Sequence, residues 1–163
     1  MKKIIGISVL IWLCSTVCAQ SVGKNQKRAD SLFEIGEYEA SKGYYATDAQ
    51  LQPKTSAYYF YCQIKNAECA IRLNNLEEAQ TIVYESLGVI TTSFVLEKAW
   101  LQNIQAKIYY QKGLINQAVL EIKSAIESIP LQRFLNGEVL AECYNTEGLI
   151  YWISGNNEKA LEY

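Results

Sequence analysis

The sequence predicts an all-α chain built as a series of helical hairpins, and three observations carry that prediction. The only two prolines, Pro53 and Pro130, lie far apart in long stretches dominated by Ala, Leu, Ile, Glu, Gln and Lys. Apolar residues in those stretches recur every three to four positions, the period of a helix with one buried face. Four short segments then repeat along the chain: Gly36-Glu37-Tyr38-Glu39-Ala40-Ser41, Asn74-Asn75-Leu76-Glu77-Glu78-Ala79, Gly113-Leu114-Ile115-Asn116-Gln117-Ala118 and Gly155-Asn156-Asn157-Glu158-Lys159-Ala160.

The N-terminus is of another kind. Lys2 and Lys3 precede an apolar run from Ile4 to Cys14, and Ser15-Thr16-Val17-Cys18-Ala19 forms a small-residue tail. That is the layout of a secretory signal, with Val17 and Ala19 as the small-x-small cleavage pattern and Gln20 as the first mature residue. The run falls well short of the roughly 20 residues that span a bilayer as a helix. Lipidation at Cys18 is disfavoured, because Ser15-Thr16-Val17 lacks the Leu and the small residue that precede a lipidated cysteine. The expected signal peptide is therefore 1–19, and the product is expected to be exported to the periplasm or cell envelope.

In the mature part each repeated segment reads as the turn of a helix-turn-helix hairpin. Gly and Asn tolerate the left-handed backbone that ends a helix, and the acidic or amide residues after them start the next one. The adjacent acids Glu77-Glu78, and Glu158 beside Lys159, fall at helix N-termini, where a carboxylate meets the positive end of the helix dipole. Capping, not acid-base catalysis, is their expected role. Gly113 and Gly155 are single turn glycines and form no phosphate-cradling loop.

Charge and composition narrow the function classes. The chain carries 15 Lys+Arg against 17 Asp+Glu; without Lys2 and Lys3 the basic residues fall to 13, a net of −4. That mild acidity argues against nucleic acid as the partner. There is no histidine, which removes Ser-His-Asp and Cys-His catalysis and every His-based metal site. Three of the five cysteines, Cys62, Cys69 and Cys143, lie beyond the leader, an odd number that cannot pair completely. Cys62 and Cys69 sit about 10 Å apart along one predicted helix at roughly 1.5 Å per residue, beyond disulfide reach. All three are expected to be small buried apolar residues. No catalytic residue, cofactor or metal is expected.

With the opening Gly or Asn of each turn as a fixed point, small residues recur at two other places. Seven residues before it stand Ala29, Ala67, Ala106 and Gly148; five after it stand Ser41, Ala79, Ala118 and Ala160. In this the chain resembles the tetratricopeptide repeat (TPR) family, whose unit of about 34 residues has small residues at positions 8 and 20, Gly at 15 and Pro at 32. Position 11 is then Leu32, Ala70, Tyr109 and Tyr151, and position 24 is Tyr45, Val83 and Ile122. Pro53 and Pro130 both fall on position 32, with Thr91 between them. Two departures stand out. Position 7, often Leu in the family, is Arg28, Asn66, Gln105 and Glu147, and the turns are 38, 39 and 42 residues apart. The extra residues are expected in longer first helices or linkers, and a related α-α solenoid with longer hairpins fits the same pattern.

The resemblance implies one repeat domain over 20–163, an α-α solenoid with units at about 22–55, 60–93, 99–132 and 141–163. The last unit breaks off early in its second helix, so a longer protein is expected, because solenoids need a polar cap at each end. The resemblance also implies a groove lined by the first helices. Carried over residue by residue, its candidate partner-binding residues are Tyr61, Glu68, Arg72, Trp100, Asn103, Lys107, Tyr110, Asn145 and Trp152. Rings, amides and charges interleaved in one groove suit an extended peptide; each of these residues taken singly is more often a packing or solvated residue. The family's cationic clamp for a C-terminal carboxylate is not reproduced, since Glu68 and Glu142 stand beside Arg72 and Lys107. The many tyrosines also suit sugar stacking, a reading weakened by the missing lipidation signal. The expected function is protein or peptide binding without catalysis. The alternative is the extracytoplasmic sensor region of a signalling protein, with a histidine kinase or helix-turn-helix output past residue 163. Any membrane contact would come from regions past that point.

Overall fold

The computed structural model describes residues 25–130 and 136–162. The signal peptide expected over 1–19 lies outside them. Among the described residues the chain is all-helical, with eight helices and no strand: α1 over 25–34, α2 (Tyr38–Gln50), α3 (Ala57–Arg72), α4 (Leu76–Val89), α5 (Val95–Gln111), α6 (Ile115–Ser128), α7 (Gly137–Ile153) and α8 (Asn157–Ala160).

The four repeated segments are the four tight turns, and all four use one device. Gly36, Asn74, Gly113 and Gly155 have φ of 84°, 58°, 76° and 80°, the left-handed region that glycine enters freely and Asn more readily than other side chains. At each turn this residue donates to the carbonyl three back and the next residue donates five back. In the second turn the two bonds are Asn74 N–H to Ile71 O at 2.9 Å and Asn75 N–H to Ala70 O at 2.8 Å. This double bond pattern satisfies carbonyls that the helix end leaves open. Among the described residues, side chains cap the starts of three helices: Ser56 Oγ accepts from Tyr59 N at α3, Asn75 Oδ1 from Glu78 N at α4 and Asn156 Oδ1 from Lys159 N at α8, whereas α2, α5, α6 and α7 begin without a side-chain cap. Pro53 follows the end of α2 and Pro130 follows Ile129, the residue that caps α6, where a residue without an N–H costs no helical hydrogen bond.

Small residues set the hairpin crossings. Ala29, Ala67, Ala106, Ser41, Ala79 and Ala118 are all fully buried. In the first hairpin the Ser41 hydroxyl donates to the Ala29 carbonyl at 2.8 Å, so one helix approaches the backbone of the other to hydrogen-bond distance. Every helix from α2 onward packs on the next, and α5 also packs on both α3 and α7. The first helices are the longer ones, 16, 17 and 17 residues for α3, α5 and α7 against 13, 14 and 14 for α2, α4 and α6. The expected lengthening of the first helices is thus seen in α3, α5 and α7.

Two apolar clusters form the core. The first gathers Tyr45, Phe60, Ile64, Val83, Leu101, Ile104 and Ile108; the second gathers Ala106, Ala118, Ile122, Ala125, Cys143 and Ile150. Helix α5 belongs to both, and it touches α3, α4, α6 and α7. That central place explains why all residues from Leu101 to Ala106 are buried, polar ones included.

Gln105 is the sharpest case. It is 1% exposed, and neither amide atom has a hydrogen-bond partner among the described residues. A buried polar group left in that state costs about 1–3 kcal/mol. Replacing it with leucine should remove that cost at similar volume. Gln105→Leu is expected to raise the thermal midpoint by several degrees in a circular dichroism melt; a lower midpoint would show that the amide is satisfied in solution.

Candidate functional site

The long first helices lay their side chains into a continuous valley. Its middle is a groove of about 890 Å³ across α3, α5 and α7, and six of the nine residues expected at a partner site line it: Glu68, Arg72, Trp100, Lys107, Tyr110 and Asn145. Toward α1 the groove shares Phe33, Lys65, Trp100 and Glu138 with a concavity of about 500 Å³, where Tyr61 lies. Toward α8 it shares Ala141, Asn145 and Leu149 with one of about 560 Å³, where Trp152 lies, 65% exposed. Asn103 stands apart. It is 1% exposed and lines none of the three concavities, and neither of its amide atoms has a partner among the described residues. The register aims it at the groove, but α5 is enclosed on all sides at that level.

The groove's charges divide into two kinds. Glu68 is committed within the chain: Oε2 accepts from Lys65 Nζ at 2.8 Å and Oε1 from the Trp100 indole N–H at 3.1 Å. Lys107 pairs with Glu142, joining α5 to α7. Because the Trp100–Glu68 and Lys107–Glu142 bonds run from one first helix to the next, Glu68, Trp100 and Lys107 hold the valley floor together. The side chains of Arg72, Tyr110 and Asn145 make no hydrogen bond or ion pair among the described residues, and Arg72 and Asn145 are exposed. Of the six expected residues in the groove, those three side chains are the ones left unengaged.

At the α1 end, Asp30 ties three helices. Its Oδ1 accepts the Tyr45 hydroxyl at 2.5 Å and the Tyr61 hydroxyl at 2.7 Å. Burial, and then the hydrogen bond to Asp30, push the Tyr61 hydroxyl up to about 12 and Tyr45 well beyond it, so both remain donors at physiological pH.

Asp30, Phe33, Glu34, Glu97 and Glu138 are lining residues that the sequence reading did not name. The register used for the later units, applied to the first, gives Asp30, Phe33 and Glu34 at positions 9, 12 and 13, so that signal was present. Glu97 and Glu138 have no counterpart in a 34-residue unit. They sit on the extra N-terminal turns of α5 and α7.

The three described cysteines are free and buried. Burial pushes their thiols up to about 12 for Cys62, 11 for Cys69 and 12 for Cys143, which leaves little thiolate at neutral pH. Among the described residues no group of three or more Cys, Asp and Glu is placed to hold a metal ion, and no helix is long and apolar enough to cross a membrane. Compared with known proteins, the chain matches no family model and no curated protein.

Proposed function

We propose that this chain is an exported, TPR-like solenoid that binds a protein or an extended peptide along its valley and catalyses no reaction. The observation that carries the reading is the division of labour in the groove. Glu68, Trp100, Lys107 and Glu142 are bonded to one another's helices, whereas Arg72, Tyr110 and Asn145 present a guanidinium, a phenol and an amide with no partner of their own. A firm floor with unengaged donors and a ring above it suits a peptide, whose backbone needs hydrogen bonds and whose side chains need apolar cover. The four turns built alike and the small residues at the crossings support the repeat reading; the Lys2-Lys3 head with its apolar run supports export.

The test is site-specific photo-crosslinking in an exporting bacterium, with the photoreactive residue at Arg72 or Tyr110 in the valley and at Leu120, 71% exposed on α6, as the control. A discrete adduct from the valley positions and none from Leu120 is the expected result. Adducts of equal yield at all three positions would sink the reading. Once the partner is in hand, Arg72→Ala should weaken it about tenfold, a change of roughly 1.4 kcal/mol, and leave the thermal midpoint where it was.

A further inference from the structure

The α1 end of the valley differs in chemistry from the rest. Four carboxylates line its concavity, those of Asp30, Glu34, Glu97 and Glu138, against one ammonium, that of Lys65. Lys65 is already neutralised by Glu68, outside this set. The acids are not merely a solvated rim, because the concavity of about 500 Å³ between them is walled by Phe33, Tyr61 and Trp100. Asp30 is fixed in its wall by two tyrosine hydroxyls on Oδ1, and Oδ2 receives no hydrogen bond among the described residues. The protein's own cation reports what these rings accept: Lys65 Nζ lies 4.9 Å from the Phe33 ring centre and 5.8 Å from that of Trp100, within the range of cation–π attraction.

We propose that this concavity is a specificity pocket for a lysine or arginine side chain of a peptide lying in the valley. The apolar stem of such a residue packs on Tyr61 and Trp100 while its charged end meets the free oxygen of Asp30, with Glu34, Glu97 and Glu138 supplying the surrounding negative field. Long basic side chains are suited to such a site because stem and head can be satisfied separately. A peptide with an acidic or neutral residue there leaves the carboxylates facing each other uncompensated. The pocket rests on the peptide-binding reading above and adds to it the class of side chain that is selected.

The experiment uses the full 163-residue chain and four fluorescent peptides, identical except for a central Arg, Lys, citrulline or Glu. Binding is followed by anisotropy at neutral pH and low salt. The Arg and Lys peptides are expected to bind about tenfold or more tightly than the citrulline peptide, with the Glu peptide weakest and the preference shrinking as salt screens the charges. Asp30→Asn keeps an acceptor for both tyrosine hydroxyls and should abolish the preference. The combined Glu34→Gln, Glu97→Gln, Glu138→Gln variant, at two exposed positions and one half-buried position, should reduce it without change in the melt. Equal binding of all four peptides would overturn the cation pocket and leave the peptide valley standing. Absence of binding by any of them would overturn both. A preference untouched in both variants would place the selection elsewhere, and N-acetylargininamide binding as tightly as the Arg peptide would make the ligand a free cation instead of a peptide.

Discussion

Ala118→Trp is expected to destabilise the chain by about 3 kcal/mol or more, a large part of the roughly 5–15 kcal/mol that holds a domain of this size folded. Ala118 on α6 and Ala106 on α5 are both fully buried in the same apolar cluster, and the register pairs them as it pairs Ser41 with Ala29. The first hairpin shows how close such a crossing is, since there the residue equivalent to Ala118 touches the carbonyl of the residue equivalent to Ala106 at 2.8 Å. An indole has no room at that distance unless the two helices part, and parting them empties the second apolar cluster. Ala118→Ser is the matched control. Its hydroxyl can donate to the Ala106 carbonyl as Ser41 does to Ala29, so a loss of no more than about 1 kcal/mol is expected. Urea unfolding followed by circular dichroism checks both. An unchanged midpoint in Ala118→Trp would mean that the helices do not cross at that residue.

The turns and crossings were legible in the sequence because each demands one property that few residues have. A left-handed backbone at positions 36, 74, 113 and 155 selects Gly or Asn, and a helix crossing at hydrogen-bond distance selects Ala or Ser. Both demands act on single residues and leave single-residue marks. Burial of polar residues on α5 left no such mark. Asn103 and Gln105 are enclosed because α3, α4, α6 and α7 all reach α5, a consequence of the stacking and not of anything in the helix's own 17 residues. For the same reason the sequence placed Asn103 in the groove while the packing closes over it.

The candidate site was legible where it follows the repeat and illegible where the chain exceeds it. Glu68, Arg72, Trp100, Lys107, Tyr110 and Asn145 are brought to one groove by register alone. What the register cannot give is how their charges are distributed among themselves. Glu68 and Lys107 look like ligand-binding charges in the sequence, yet both are engaged by neighbours 32 and 35 residues away. Glu97 and Glu138, which make the α1 end acidic, belong to turns that the repeat unit does not contain.

Phe60→Ala should have the other large effect, about 3–5 kcal/mol, the usual cost of emptying a buried phenylalanine site. The Phe60 side chain is fully buried, with its ring 5.3 Å from that of Tyr59 and 5.0 Å from that of Phe94, centre to centre. Phe94 lies in the link between α4 and α5, so Phe60 fastens the second hairpin to the third at a point far from Ala118. The two substitutions therefore strike different clusters that meet only in α5. If stability in this chain is a sum of hairpins and nearest-neighbour interfaces, the losses should add to within about 0.5 kcal/mol in the double variant. Hydrogen exchange should also separate them: Phe60→Ala should speed exchange chiefly in α2, α3 and α4, and Ala118→Trp chiefly in α6 and α7. Uniform acceleration over all helices in both variants would show instead that α5 couples the two clusters into one all-or-none unit. In that case any partner held by Arg72 and Tyr110 on the middle helices would stabilise both ends of the valley equally.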